Sequence, residues 1–350
     1  MFTQTLSRRV LGSSLLDLLT GPHGVDRYTE LVTPTWSQGD ARAKVVSVEH
    51  RTPRSVTIAL APNRAFRGFK AGQHINLTVE IDGRRRTRCY SPASAEGAPL
   101  VELTVGLHDG GLVSTYLHRY ARPGMVVGLD SVGGEFVLPE PRPRRILFVS
   151  GGTGITPVMS MLRTLKEEGF DGEIAFVHYA RSVDEACYRD ELAATAGARI
   201  MHGYTRSGDG DLVGHFGASH LQAAMPSPDA VYVCGPPALA DAVRRHCDNV
   251  SAETFVPPDF GVPTDVSGGR ITFADSGIDA IDDGTPLLLQ AEAAGLSPES
   301  GCRMGICHTC TRRKNHGAVK NLITGAVSCA DEEDVQICVS VPVGDVELAL

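Results

Sequence analysis

Near the end of the chain, Gly301–Cys310 reads GCRMGICHTC, which sets Cys302, Cys307 and Cys310 at C-x4-C-x2-C spacing. No export signal precedes the nine cysteines, so reduced thiols that hold a metal or carry redox chemistry are expected, not a disulfide framework. The spacing suits a 2Fe-2S cluster, which needs one further thiolate distant in sequence. Cys329, in the polar VSCADEED, and Cys338, in the strand-like VQICVSV, are the candidates. A rigid element fixes a ligand better than a loop, so Cys338 is expected to be the fourth. Four thiolates would also satisfy zinc, but the four-residue gap and the single C-x-x-C fit zinc less well. A Rieske centre needs two histidines, and only His308 stands in this loop. The small residues Gly301, Gly305 and Thr309 leave room for backbone amides to approach sulfur.

Three other short motifs point to phosphate and nucleotide chemistry. Gly151-Gly152-Thr153-Gly154-Ile155-Thr156-Pro157 follows the apolar run RRILFV and opens a helical pattern. Such a glycine turn lets a phosphate reach backbone amides at a helix start, although Pro157 stands where a dinucleotide fingerprint would place its third glycine. Gly110-Gly111-Leu-Val-Ser114-Thr115 offers a second helix start with hydroxyls, and Val233-Cys234-Gly235-Pro236-Pro237 ends a later apolar strand. Taken alone, Arg88-Cys89-Tyr90-Ser91 after Arg84-Arg85-Arg86 reads as a basic surface strand, and Cys234 as a small buried strand residue.

The elements that must position these residues fall into successive units. Residues 1–40 carry Leu6, Val10, Leu11, Leu15, Leu18 and Leu19 near helical spacing and predict a short amphipathic helix packed on the next domain, with membrane-surface or partner docking as the other reading. Residues 41–142 hold short, regularly spaced β runs, which predict a small antiparallel barrel. Residues 143–255 alternate β and α patterns, including a helix-like DEACYRDELAAT, and predict a parallel sheet with helices on both faces. From Asn249 the proline- and glycine-containing NVSAETFVPPDFGVPTDVSGG reads as a linker, with the domain boundary drawn so that residues 256–269 separate the units. Residues 270–350 open on a hairpin, continue through the helix TPLLLQAEAAGL and end on the apolar VQICVSVPVGDVELAL.

At 350 residues, with 42% hydrophobic and 21% charged residues, this is a globular multidomain composition. The net charge of -8 argues against a general nucleic-acid binder. Residues 270–350 contain 12 Asp+Glu and 6 Lys+Arg, a difference of -6, so most of that charge sits on the last unit. No run is long and apolar enough to span a bilayer, and a cytoplasmic protein is expected.

In combination these motifs resemble the ferredoxin-NADP reductase superfamily extended by a C-terminal plant-type ferredoxin domain, over nearly the whole chain from about residue 41. The resemblance implies an antiparallel β-barrel flavin domain, an α/β nicotinamide domain and an α+β β-grasp 2Fe-2S domain. It implies that Arg88 neutralises flavin phosphate, that Tyr90 packs beside the isoalloxazine and that the Ser91 hydroxyl faces flavin N5. Gly111, Ser114 and Thr115 would hold a pyrophosphate, which favours FAD over FMN. Gly152, Thr153, Gly154, Thr156 and Pro157, with Cys234, Gly235 and Pro236, would hold the nicotinamide nucleotide. Ser91, Cys234 and Thr156 would meet at the hydride-transfer junction. Arg181 and Arg206 stand where relatives that use NADPH place arginines for the 2′-phosphate, so NADPH is expected over NADH.

The implied activity is NAD(P)H-dependent electron transfer through FAD to the cluster and on to a terminal oxygenase or desaturase. Pro22–Ser37, PHGVDRYTELVTPTWS, is similar to the extension found in electron-transfer partners of membrane acyl-CoA desaturases. That implies a monomer, peripheral at the membrane through its partner. A cytochrome P450 or ring-hydroxylating oxygenase is the alternative acceptor, and a non-catalytic redox sensor is the alternative role.

Overall fold

The computed structural model describes Thr35, Asp40–Phe255 and Gly268–Leu350; the expected N-terminal helix and almost all of the linker lie outside the described residues. Six strands form an antiparallel sheet: β1 (Arg42–Thr52), β2 (Ser55–Pro62), β3 (His74–Ile81), β4 (Arg84–Tyr90), β5 (Val101–Gly106) and β6 (Val126–Gly133), in the order β4-β3-β6-β1-β2-β5. Past the end of β4, Pro92 bridges Leu103 of β5, so the first and last strands meet and the sheet curls into a barrel. The inward residues Val56, Ile58 and Leu60 alternate along β2 and are buried with Ile75, Leu77 and Leu103, the period-2 pattern that a half-buried strand requires. Helix α1 (Leu112–Tyr120) packs on the barrel core through Val113 and Leu117.

The second unit is a parallel sheet of β7 (Arg145–Gly151), β8 (Glu173–Ala180), β9 (Ala198–Tyr204), β10 (Leu212–Val213), β11 (Ala230–Cys234) and β12 (Val250–Glu253), ordered β10-β9-β8-β7-β11-β12. The chain runs outward from β7 to β10 and returns to β11 on the other side of β7. The crevice beyond the ends of β7 and β11 is therefore the topological switch point, where open α/β sheets bind ligands. Helix α2 (Ile155–Glu167) buries Val158, Met159, Leu162 and Leu165 against this sheet.

Two expectations in this unit require correction. DEACYRDELAAT is not one helix: after a 3-10 turn at Val183–Glu185, Tyr188 adopts φ 60°, and only α3 (Arg189–Ala193) is helical. Tertiary contacts over-determine that break, because the Tyr188 ring is buried under Arg163 and Arg51 and its hydroxyl donates to Glu102 of the barrel. The start of the expected linker is strand β12, paired in parallel with β11. The unit is completed by α4 (Ala218–Ala224) and α5 (Pro237–Arg244).

The barrel and the parallel sheet are tied by polar contacts at their seam. Arg163 forks onto Glu191 at 2.7 Å and reaches Glu102 at 2.9 Å, while the Ser160 hydroxyl donates to the Ser94 carbonyl at 2.7 Å. The third unit is a mixed sheet of β13 (Arg270–Phe273), β14 (Ile278–Ile281), β15 (Thr311–Asn321), β16 (Val327–Ser328), β17 (Glu333–Gln336) and β18 (Ser340–Leu348), crossed by α6 (Leu287–Ala293). Phe273, Leu287, Val319, Ile337 and Leu348 form its core together with Cys310 and Cys338. The terminal apolar run is not one strand: it breaks at Ile337–Val339, so Cys338 sits in the turn between β17 and β18. Cys338 is therefore held not by a rigid strand, as expected from its apolar neighbours, but by burial in the core.

Candidate flavin, nicotinamide and iron-sulfur site

A cavity of about 290 Å³ lies where the three units meet. The barrel contributes His74, Arg88, Tyr90 and Ser91 to its wall, and the parallel-sheet unit contributes Thr153, Thr156, Glu253 and Phe255. The third unit contributes Gly301–Met304 and Ile306. Residues as far apart in sequence as Ser91 and Arg303 thus face one space.

Strand β4 delivers the R-x-Y-S motif in register with β3, Arg88 opposite Leu77 and Tyr90 opposite Ile75. Arg88 donates to the Thr87 carbonyl at 2.7 Å and keeps the rest of its guanidinium for the cavity. Burial pushes the Tyr90 phenol up, so it is a neutral ring at any ordinary pH. Ser91 is buried, and its hydroxyl has no hydrogen-bond partner among the described residues. A buried hydroxyl left in that state in a cavity wall is suited to a ligand's polar atom.

The glycine turn follows β7. Gly152 has φ +54° with open space where a side chain would stand, and Gly154 packs so closely on the Cys234 carbonyl that a Cβ would collide with it. Thr156 donates to the Thr153 carbonyl at 3.3 Å, and Pro157 is buried in the first turn of α2. Across the switch point, Gly235 and Pro236 lie against Gly151. Cys234 is fully buried, its thiol pushed well above the usual range by desolvation and then by Glu253, and it does not line the cavity itself.

At the α1 start, Gly111 and Ser114 line the cavity but the Ser114 hydroxyl turns inward, donating to the Gly111 carbonyl at 3.3 Å. The Thr115 backbone amide also closes on that carbonyl, at 3.1 Å. Arg181 and Arg206 are exposed at the ends of neighbouring strands β8 and β9, joined by a backbone hydrogen bond at 2.9 Å. Glu185 lies 3.9 Å from Arg181.

Sequence reading missed Glu253 and Phe255 because β12 is four residues long and merges into a proline-rich stretch. Glu253 Oε2 is enclosed without a partner among the described residues, and burial pushes its carboxyl up to about 8. His74 was missed as well; burial lowers its imidazole, so it is neutral in the wall. The V-S-A-E run after a helix was the only signal for Glu253.

In the third unit the thiols gather in two pairs, Cys302 with Cys307 and Cys310 with Cys338, each within hydrogen-bond reach. The loop wraps sulfur with amides: the backbone N–H groups of Met304, Ile306 and Cys307 donate to Cys302 Sγ at 3.3 Å, and that of Cys302 donates to Cys307 Sγ at 3.1 Å. Positive φ at Arg303 (59°), Gly305 (74°) and His308 (57°) bends the chain so that these amides converge. Hydrogen bonds from Cys302 and then Cys89 hold Cys307 well below the usual thiol range, and one from Cys338 draws Cys310 down to about 7. Cys329 is exposed and belongs to neither pair. Half-buried sulfurs wrapped by amide donors, Cys302 and Cys307, beside the buried pair Cys310 and Cys338, suit thiolates that carry a metal cluster's negative charge.

A curled antiparallel barrel, a parallel sheet with its glycine turn at the switch point and a cysteine-loop domain define a modular flavin and iron-sulfur oxidoreductase. Residues 44–137 match the oxidoreductase FAD-binding domain, 148–245 the oxidoreductase NAD-binding domain and 272–343 the 2Fe-2S iron-sulfur cluster binding domain. An "NADPH oxidoreductase" of Mycobacterium tuberculosis is 34% identical, the alignment covering 93% of this chain and 89% of the relative. A "glycine betaine monooxygenase reductase subunit" of Pseudomonas aeruginosa is 30% identical over 90% of this chain and 97% of its own length. In fold the chain is similar to phthalate dioxygenase reductase, with a TM-score of 0.60 at 24% identity over 88% of this chain and 97% of that one. The chain belongs to the family of reductases in which FAD- and NAD-binding domains of the ferredoxin-NADP reductase type are followed by a 2Fe-2S domain. It is an NAD(P)H-dependent oxidoreductase whose cofactors are FAD and a 2Fe-2S cluster. Among the described residues no helix is long and apolar enough to cross a membrane.

Proposed function

We propose that the protein is the NADPH-dependent reductase component of a two-part system and delivers single electrons to a separate terminal oxygenase. The observation that carries this reading is the shared cavity, whose wall includes Ser91 of the barrel, Thr156 and Glu253 of the nucleotide unit and Cys302 of the cysteine loop. When bound, the nicotinamide supplies a hydride, the flavin accepts it as an electron pair and the cluster accepts electrons singly.

The chain's own groups would do the positioning. Arg88 offers a cation to flavin phosphate, with Gly111 and Ser114 of the helix start in the same wall and Thr115 next in the chain; Tyr90 and Phe255 bring aromatic rings to the wall, and the Ser91 hydroxyl, without a partner among the described residues, presents a donor. Gly152, Thr153, Gly154, Thr156 and Pro157 shape the nicotinamide side together with Cys234, Gly235 and Pro236. Glu253, protonated below about pH 8, keeps a full charge out of the cavity. Arg181 and Arg206 offer paired cations to a 2′-phosphate. Cys302, Cys307, Cys310 and Cys338 would hold the cluster.

The relative named as a glycine betaine monooxygenase reductase subunit favours an oxygenase as acceptor. A membrane acyl-CoA desaturase is the second reading; it is favoured by the Pro22–Ser37 stretch, nearly all of it outside the described residues, and it would place a monomer at the membrane through its partner. Anaerobic titration of the purified protein with NADPH, and separately with NADH, followed by absorbance and electron paramagnetic resonance, tests the reading. Flavin bleaching followed by a reduced-cluster signal, at lower NADPH than NADH, is expected; bleaching without a cluster signal refutes it. Acyl-CoA desaturation supported by the reduced protein, with no turnover of an oxygenase component, would favour the second acceptor.

A further inference from the structure

A fifth thiol stands at the cysteine loop, and it comes from a different domain. Cys89 lies on β4 of the barrel between Arg88 and Tyr90, and its Sγ lies within 4.8 Å of the Sγ atoms of both Cys302 and Cys307. Its neighbour on β3, Asn76, binds the same loop: Asn76 Nδ2 donates to Thr309 Oγ1 at 3.0 Å and to Ser131 Oγ at 2.6 Å, while Asn76 Oδ1 accepts from Cys89 Sγ at 2.7 Å. The paired strands β3 and β4 thus press a thiol and an amide onto the loop that carries the first two cysteines.

We propose that Cys89 is a hydrogen-bond donor from the flavin domain to the cluster thiolates Cys302 and Cys307, one that exists only while the two domains are docked and makes the docked cluster easier to reduce. The inference rests on the reading that Cys302 and Cys307 are cluster ligands. Once ionised, those sulfurs have no proton of their own, and Cys89 then brings an S–H to the contact. A charged thiolate is a stronger acceptor than a neutral amide oxygen, so the Cys89 proton turns toward it. The Asn76 amide keeps its orientation, with Nδ2 donating to Ser131 Oγ and Thr309 Oγ1, so the Thr309 hydroxyl proton remains on Cys307, and only the weak Cys89 S–H bond to Asn76 Oδ1 is given up.

A donor to ligand sulfur withdraws electron density and favours the more negative, reduced state of a cluster. Because Cys89 sits between two residues of the cavity wall, docking would raise the cluster's potential on the side from which electrons arrive. Separation of the domains would remove the donor and leave the cluster a stronger reductant. The Arg303 to Glu292 ion pair and the loop's own amides belong to the third unit and would move with it; Cys89 and Asn76 would stay behind.

The test uses the full-length holoprotein with Cys89→Ala, Cys89→Val and Cys89→Ser. Iron and sulfide content, flavin absorbance and the cluster midpoint potential, by titration monitored with electron paramagnetic resonance, are measured for each. The expected result is two irons per chain throughout, on the ordinary stoichiometry of such a cluster. The potential should shift negative in Cys89→Ala and Cys89→Val and be restored in Cys89→Ser, which keeps a donor. Valine preserves volume and gives the same reading should the alanine chain fail to fold. An unchanged potential in both apolar variants, or a serine variant that behaves like them, overturns the proposal. Loss of iron from the Cys89 variants alone also overturns it, by making Cys89 a ligand. Absence of iron from the unsubstituted protein would instead overturn the underlying cluster assignment.

Discussion

Replacing Glu253 by glutamine should remove a pH dependence that the unsubstituted protein shows across neutrality. The carboxyl titrates at about 8 in the folded chain against an ordinary 4.5, because burial disfavours its charge. Between those values the folded state holds a proton that the unfolded chain has released. Unfolding free energy therefore falls as pH rises through this window and levels off above the folded value. The interval from 4.5 to about 8 corresponds to roughly 5 kcal/mol as an upper bound. Water reaching the partly exposed residue screens part of this, so an effect of about 3 kcal/mol is expected. Glutamine imitates the protonated form and has nothing to titrate. Urea unfolding of both proteins at pH about 5.5 and about 8.5 gives the difference in stability. The glutamine variant should gain on the parent as pH rises. Stopped-flow reduction of the flavin by NADPH should slow in the parent above about pH 8, as charge enters the cavity, and stay flat in the variant. Equal stability differences at the two pH values, together with matching rate profiles, would refute the argument that burial holds this proton.

Cys338→Ser should abolish the cluster signal and iron content while Cys329→Ser leaves both intact, since only Cys338 is buried beside Cys310; iron analysis with absorbance decides this. Gly154→Ala should lose roughly tenfold or more in flavin reduction, because a methyl group would push the nucleotide turn off the Cys234 carbonyl, and stopped-flow kinetics would read the loss. Arg181→Ala and Arg206→Ala should each weaken NADPH by about 10- to 100-fold in kcat/KM while leaving NADH nearly unchanged, the effect of one lost charge-assisted contact. Ser91→Ala should slow flavin reduction with little change in NADPH affinity if its free hydroxyl acts on the flavin, which a KM-against-kcat comparison shows.

The order of the domains was legible because each has its own period and punctuation. The alternating β2 run, the apolar β7 run ending in GGTGITP and the cysteine spacing are local patterns. Failures came where a contact from elsewhere decided local conformation. Tyr188 broke a helical pattern because its ring is held by the barrel. The edge strand β12 exists because β11 offers it a ladder, and only that pairing brings Glu253 to the cavity. Cys338 lies in a turn inside an apolar run that reads as one strand, because the core takes up the residues on either side of it.

By itself the sequence determined which chemistries were available, since ligand type, glycine turns and strand period are properties of neighbouring residues. Tertiary structure alone decided that Ser91, Glu253 and Cys302 share one cavity and that Cys89, an unremarked residue inside a four-residue motif, lies beside the cysteine loop. The physical reason is that such placements depend on how separate sheets pack against one another, and no local period records a contact between residues more than two hundred positions apart.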